Sequence, residues 1–247
     1  MDIMKDIIYG TQDSKNQILD LYLPEGDADQ ASDVLIYFHG GGLEHGNKSR
    51  GVHFEHLVNA GLIVISANYR MYPDAKFPDF LEDAASVVNW AREHLSSYKK
   101  VKRTFVGGSS AGAYMTAMLA FDPTYLGVYG IKTTDIDGYI IDSAQMTTHF
   151  NVLNERGINP KRILVDEAAP VYFLNENTEF PNALVVVADN DMPCRLEQNL
   201  MFLKTAEMLG CPEGKLQYRL MEGYRHCQYS GSEMFAEIIL QYMNSIE

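Results

Sequence analysis

Short runs of consecutive apolar residues alternate with amphipathic stretches along this chain of 247 residues. The runs predict buried strands, and apolar residues at helical spacing predict helices between and after them. The predicted strands are residues 18–23, 34–38, 62–67, 104–106, 139–141, 183–188 and 216–221. The predicted helices cover residues 80–95, 196–209 and 232–243, with another beginning near Ser110.

Unbroken apolar strands that alternate with helices are typical of a mostly parallel sheet with helices on both faces. The pattern therefore predicts an α/β protein in which the carboxyl ends of the strands meet at one edge, where ligands usually bind. The least regular segment is 145–180. We interpret it as an excursion over the active site, within a single domain that spans residues 1–247.

Charge and composition narrow the range of expected partners, locations and site types. The net charge is −13 and no block of basic residues occurs, so nucleic acid is not an expected partner. No run of 18 apolar residues predicts a membrane span, and the acidic N-terminus does not resemble a signal peptide, which favours a cytoplasmic location. Three cysteines without zinc spacing predict neither a disulfide framework nor a metal site.

A candidate nucleophile lies at Gly108-Ser109-Ser110-Ala111-Gly112. The segment matches G-x-S-x-G, and it stands between a predicted strand and a predicted helix, which is the context that this motif requires. A serine on such a turn is exposed at the start of a helix, where the backbone dipoles favour developing negative charge. The pattern predicts that Ser110 attacks a carbonyl carbon.

A glycine-rich turn, His39-Gly40-Gly41-Gly42, follows the strand predicted at 34–38. Successive glycines allow the backbone to turn and direct N–H groups at an oxyanion. A phosphate-binding loop would need a G-K-[ST] ending or a G-x-G-x-x-G helix start, and neither is present. We expect His39 itself to be structural.

A nucleophile in this motif is followed along the chain by an acid and then by a histidine, so both remaining members of a triad are expected after Ser110. His226 follows the last predicted strand and precedes the last helix, so it is the expected base. Asp189 and Asp191 both follow the strand predicted at 183–188. We assign Asp189 as the acid because it directly follows that strand, and we assign Asp191 a capping role before a helix that begins near Pro193.

Together these motifs resemble the hormone-sensitive-lipase-like esterases and small carboxylesterases of the α/β-hydrolase superfamily. Asn68-Tyr69-Arg70-Met71-Tyr72-Pro73 extends the resemblance, as do Leu81-Glu82-Asp83-Ala84 and Trp90. The resemblance implies an eight-stranded sheet and an oxyanion hole formed by the N–H groups of Gly41, Gly42 and Ala111. Only 38 residues precede His39, so no large cap domain is expected.

The predicted activity is that of a serine carboxylesterase acting on short-acyl or aryl esters, including acetyl- and feruloyl-like esters, without a cofactor. The expected partner is a small-molecule ester, and a homo-oligomer is left open. The same apparatus also suits an arylamide or formamide hydrolase. A non-catalytic binding protein on this fold is the other alternative, because a fold does not fix a function.

Overall fold

Eight strands form one sheet in the computed structural model, which describes residues 1–13 and 15–246. Seven of them correspond to the predicted strands. In chain order the strands are β1 Asp2–Ile8, β2 Ile18–Leu23, β3 Ser32–Phe38, β4 Ile63–Ala67, β5 Val101–Ser109, β6 Gly138–Asp142, β7 Ala183–Asn190 and β8 Leu216–Arg225.

The helices lie between the strands and after the last one. They are α1 Glu55–Asn59, α2 Asp79–His94, α3 Ala111–Phe121, α4 Pro123–Gly127, α5 Phe150–Glu155, α6 Arg195–Met208 and α7 Glu233–Ser245. Four short 3-10 helices cover Lys48–Phe54, Leu95–Ser97, Thr133–Asp135 and Pro170–Phe173. The long predicted helices agree with α2, α6 and α7 to within about two residues at each end.

The strand order across the sheet is β1-β2-β4-β3-β5-β6-β7-β8. The six strands that follow β2 in this order, from β4 through β3 to β8, are mutually parallel. Strand β2 pairs antiparallel with both β4 and β1, so β1 and β2 form an antiparallel edge. Parallel neighbours bring the carboxyl ends of β3, β5, β6, β7 and β8 to one edge. This confirms the predicted α/β-hydrolase sheet.

Alternate side chains of the central strand β3 enter two separate cores. Val34, Ile36 and Phe38 pack into the core beneath α2, α3 and α6. Leu35 and Tyr37 pack into the opposite core, beneath α1 and α7. Because side chains alternate across a strand, an unbroken apolar run is what a sheet covered on both faces requires.

The edge strand β1 is absent from the elements predicted by pattern. Its residues are exposed or half-buried, and Ile8 is 58% exposed. An edge strand contacts a single neighbour, so it needs no continuous apolar run. Backbone hydrogen bonds with β2 define β1, and the hydrophobic pattern of the sequence does not indicate such pairing.

Segment 145–180 contains α5 and the 3-10 helix Pro170–Phe173, and is otherwise irregular. The four helices of eight or more residues all pack against the sheet. In the described part of the chain no helix forms a separate cap layer. The interpretation of residues 1–247 as a single domain stays a prediction.

Candidate active site

Ser110 occupies a sharp turn between β5 and α3. Its backbone has φ 55° and ψ −113°, a conformation that residues other than glycine seldom adopt. Its N–H donates to the carbonyl of Asp142 (2.8 Å), and its carbonyl accepts from Tyr114 N–H (2.9 Å). The strained turn places the side chain at the carboxyl edge of the sheet, as the G-x-S-x-G motif predicts.

Two glycines make this turn sterically feasible. A Cβ added to Gly108 would lie 2.4 Å from the carbonyl carbon of Gly112. A Cβ added to Gly112 would lie 2.0 Å from the carbonyl oxygen of Phe38. Both distances are far below van der Waals contact, so helix α3 can cross β3 and β5 this closely only with glycine at both positions.

His226 follows β8 directly and contacts the serine. Its Nε2 lies 2.8 Å from Ser110 Oγ. A tight turn after the strand carries the histidine, closed by a hydrogen bond from Gln228 N–H to Arg225 C=O (3.1 Å). The structure thus brings the two residues together across 116 positions of sequence.

The carboxylate that contacts His226 belongs to Asp191. Its Oδ1 lies 2.5 Å from His226 Nδ1, and Ser143 Oγ donates to its Oδ2 (2.7 Å). The side chain is 1% exposed. Burial raises the pKa of Asp191, but the hydrogen bonds from His226 and Ser143 outweigh this effect and leave the pKa below its ordinary value.

The assignment of Asp189 as the partner of His226 is wrong. Strand β7 continues to Asn190, two residues beyond its predicted end, so Asp189 lies within the strand and Asp191 is the first residue after it. The exposed carboxylate of Asp189 accepts from Gly223 N–H (2.9 Å) and from Asn190 Nδ2 (2.8 Å). Helix α6 begins only at Arg195, so Asp191 has no capping role.

The contacts of His226 fix its tautomer. With a carboxylate at Nδ1 and a hydroxyl at Nε2, the neutral imidazole donates from Nδ1 and accepts at Nε2. An imidazole in this state is ready to accept the proton of Ser110. The three groups form one continuous hydrogen-bonded chain from hydroxyl to buried carboxylate.

The glycine turn after β3 lies against the nucleophile. A Cβ on Gly40 would lie 3.1 Å from Ser110 Cβ. Gly41 and Gly42 have φ 128° and 66°, values that favour glycine. Among the described residues, the N–H groups of Gly41, Gly42 and Ala111 donate to no protein acceptor. Their role as an oxyanion hole stays a prediction.

His39, the first residue of that motif, is buried and lies away from the proton-transfer chain. Burial lowers the pKa of His39 to about 4, so the ring is neutral at pH 7. It stacks on Tyr69 with 4.5 Å between ring centroids, and its Nδ1 lies 2.8 Å from Gly40 C=O. These contacts fit the expected structural role of orienting the glycine turn.

A model of the BD-FAE family matches residues 19–152, more than half of the chain. The chain belongs to the BD-FAE family. Membership confirms the predicted place among the esterases of the α/β-hydrolase superfamily. The matched region contains β3, the glycine turn and the serine turn, whereas Asp191 and His226 lie beyond it.

Curated relatives and solved structures carry esterase names. Esterase LipI of Mycobacterium tuberculosis is 36% identical over 104 residues, which are 40% of this chain and 32% of LipI. The chain therefore spans about a third of that relative. Esterase B from Lactobacillus rhamnosis has a TM-score of 0.80 at 14% identity, covering 99% of this chain and 85% of its own. A truncated carbohydrate esterase from gut microbiota has a TM-score of 0.79 at 15% identity, covering 99% and 96%. At these identities the solved structures show a shared fold.

The triad of this BD-FAE protein opens into a cavity of about 480 Å³. Its wall includes Ser110, His226 and the glycine turn, together with the aromatic rings of Tyr37, Phe54 and Phe150. Phe150 is the first residue of α5, so the predicted excursion at 145–180 contributes at least this side chain to the wall.

Another cavity, of about 490 Å³, lies between Tyr9, Arg70 and Trp90. Two of its charged groups are paired with each other: Arg70 Nη2 lies 2.8 Å from the buried carboxylate of Asp83, which also accepts from Gln17 (2.7 Å). Among the described residues that line this second cavity, no nucleophile is hydrogen-bonded to a base. The triad cavity is therefore the candidate active site, and the contacts of Asp83 are structural.

The sequence analysis missed four polar residues near the triad: Asp142, Ser143, Tyr229 and Ser230. Asp142 is fully buried at the end of β6 and accepts hydrogen bonds from Tyr229 and Ser230. One signal could have identified it. Asp142 follows a buried apolar run, and the same observation was the basis for considering Asp189 and Asp191.

Neither a metal-binding cluster nor a membrane-spanning helix is found in residues 1–13 and 15–246. No group of three or more His, Cys, Asp or Glu side chains in this range could hold a metal ion. Nor does any helix there have the length and apolar character needed to cross a membrane. The three cysteines are free.

Proposed function

We propose that this protein hydrolyses carboxylic esters through a covalent acyl-enzyme, with Ser110 as the nucleophile and His226 as the base. Asp191 orients the base. The observation that carries this proposal is the hydrogen-bonded chain from Ser110 Oγ through both ring nitrogens of His226 to the Asp191 carboxylate. The esterase names of the relatives support it.

In the first half-reaction, Ser110 Oγ attacks the ester carbonyl carbon while His226 Nε2 removes the hydroxyl proton. Asp191 stabilises the resulting imidazolium. The negative charge on the carbonyl oxygen is held by the proposed oxyanion hole, the N–H groups of Gly41, Gly42 and Ala111. The intermediate then collapses, the C–O bond to the alcohol breaks, and His226 protonates the departing oxygen.

The second half-reaction releases the acid. Water attacks the carbonyl carbon of the acyl-enzyme, and His226 Nε2 takes its proton. Breakdown of the second tetrahedral intermediate returns the proton to Ser110 Oγ. The carboxylic acid leaves and the free triad is restored. The proton balance needs no group beyond the triad and one water.

The proposed substrate is a small ester with a short acyl group or an aryl acid. Three aromatic side chains line the cavity beside Ser110, and they offer flat apolar contact to such a group. We also propose a cytoplasmic location. Support for it comes from the three free cysteines, since disulfides are rare in that compartment.

Labelling by a fluorophosphonate probe tests the nucleophile, and p-nitrophenyl acetate tests the activity. We expect the probe on Ser110, and we expect Ser110→Ala to lose roughly 10³-fold or more in kcat while staying folded. Ser96→Ala, an exposed serine outside the cavity, is the control and should match the wild-type protein. Covalent labelling at another serine, or full activity in Ser110→Ala, would exclude this mechanism.

A further inference from the structure

A second buried carboxylate lies beside the triad, and the mechanism above does not use it. Asp142 ends β6 and has no exposed surface. Its Oδ2 accepts from Ser109 Oγ (2.7 Å) and from Ser230 Oγ, and its Oδ1 accepts from Tyr229 OH (2.6 Å). Three hydroxyl groups that all donate are the partners of an ionised carboxylate.

These contacts join the two segments that carry the nucleophile and the base. Ser109 directly precedes Ser110, whose own N–H donates to the backbone carbonyl of Asp142 (2.8 Å). Tyr229 and Ser230 follow His226 by three and four residues. Asp142 therefore connects the serine turn to the histidine loop, residues 226–231, through side-chain hydrogen bonds on both sides.

The same network reaches the acid of the triad. Ser143 Oγ donates to Asp191 Oδ2 (2.7 Å) and lies 3.3 Å from Tyr229 OH. A polar chain thus runs from Asp142 through Tyr229 and Ser143 to Asp191. Such buried networks hold their members rigidly, because every unsatisfied group in a low-dielectric interior is costly.

We infer that Asp142 is a positioning residue of the active site. Its carboxylate fixes the histidine loop against the serine turn and places a second negative charge near the imidazole, which favours the imidazolium that forms as Ser110 attacks. The inference rests on the proposed roles of Ser110 and His226. Asp142 itself does not touch the reacting atoms.

The surroundings of Asp142 act on its charge in opposite directions. Burial holds the pKa of Asp142 above its ordinary value, while hydrogen bonds from Ser230, Tyr229 and Ser109, and then the charge of His226, partly offset that rise. The attraction between Asp142 and a charged His226 acts in both directions, so Asp142 stabilises the imidazolium. The other titratable or charged groups around this network are Tyr37, Asp191, Arg195, Cys227 and Tyr229.

The test is the pH dependence of the rate at which a fluorophosphonate probe labels Ser110, compared between wild-type protein and Asp142→Asn. Asparagine keeps the shape and accepts or donates to the same hydroxyls, but it removes the charge. We expect labelling, and kcat on p-nitrophenyl acetate, to fall by about tenfold, as for loss of one charge-assisted hydrogen bond. The acid limb of the labelling profile should move to lower pH, because protonated His226 loses a neighbouring negative charge.

Two further variants separate charge from structure. Asp83→Asn removes a carboxylate that is equally buried but lies on α2, paired with Arg70 and Gln17. It should lower the melting temperature and leave the labelling profile unchanged. Tyr229→Phe keeps the Asp142 carboxyl but removes the hydrogen bond that Tyr229 OH donates to it, so it should slow labelling and move the acid limb less than Asp142→Asn does.

The outcomes are distinct. Wild-type rates and an unmoved acid limb in Asp142→Asn would overturn the inference, and so would an equal shift of the acid limb in Asp83→Asn. If Asp142→Asn does not fold, the labelling rates of Tyr229→Phe and Ser230→Ala test the inference in its place. Wild-type labelling rates in both variants would overturn the inference. If wild-type Ser110 reacts with the probe but no ester is hydrolysed, the proposed function fails while the labelling rates still test Asp142. A wild-type Ser110 that does not react would remove both proposals.

Discussion

At the scale of single residues, two positions at the end of β7 separate an exposed carboxylate from the buried one that contacts His226. Asp189 and Asp191 are two residues apart, yet the first is exposed and the second is 1% exposed. Only Asp191 contacts His226. The same substitution at the two positions therefore gives a matched pair of variants, because each loses one negative charge at nearly the same place in the chain.

Asp191→Asn should lower kcat by up to about 10⁴-fold, because the imidazole of His226 loses the carboxylate that orients it and stabilises its charged form. Asp189→Asn is the matched control and should retain wild-type kcat, since among the described residues its carboxylate accepts hydrogen bonds from Gly223 N–H and Asn190 and has none with His226. Steady-state kinetics on p-nitrophenyl acetate, with a thermal melt of each variant, provide the comparison. A dead Asp189→Asn beside an active Asp191→Asn would show that the acid has been assigned to the wrong residue.

At the scale of elements, helix α3 crosses the sheet at very short range. A Cβ at Gly112 would overlap the Phe38 carbonyl oxygen at 2.0 Å, and that oxygen belongs to the strand leading into the glycine turn. A methyl group there forces the helix and strand apart. Both the serine turn and the proposed oxyanion hole sit at this crossing.

Gly112→Ala should reduce the free energy of unfolding by ~3 kcal/mol and reduce activity strongly, because overpacking must shift backbone rather than a side chain. Gly127→Ala in α4 is the control. A Cβ at Gly127 meets no atom within 4 Å, so we expect a stability equal to or slightly above wild type, by up to ~1 kcal/mol. Denaturant unfolding and ester hydrolysis measure both effects. Equal stability of the two variants would contradict the close crossing.

At the scale of the whole molecule, the size of the triad cavity is the basis of the proposed preference for short acyl groups. The cavity measures about 480 Å³, and the described residues contain no separate cap layer that would extend its apolar wall. Long acyl chains would leave much of their apolar surface in water and gain little from binding.

We therefore expect kcat/KM on p-nitrophenyl esters to be higher for C2 to C4 acyl groups than for C12. Substrate concentrations must stay below the micelle threshold, and Ser110→Ala provides the background rate for each ester. A C12 ester cleaved faster than the C2 to C4 esters would refute the proposed preference for short acyl groups.

Much of the architecture could be predicted from local pattern. Unbroken apolar runs identified seven strands, because a parallel sheet covered on both faces needs apolar residues at successive positions. Glycine spacing located the serine turn, since the steric demand at Gly108 and Gly112 is severe. Strand β1 was missed because its side chains are largely exposed and backbone pairing alone defines it.

The sequence by itself determined those site residues that can be identified from their neighbours in the chain. They are Ser110 on its turn, the glycines after β3, and His226 after the last strand. Only the tertiary structure decided which carboxylate faces the histidine and that Asp142 joins both segments. The physical reason is that these contacts span 35 and 88 positions and depend on where each strand ends. Strand β7 ends two residues later than the hydrophobic pattern indicates, so the first residue after it is Asp191 and not Asp189, and local pattern does not resolve strand ends that finely.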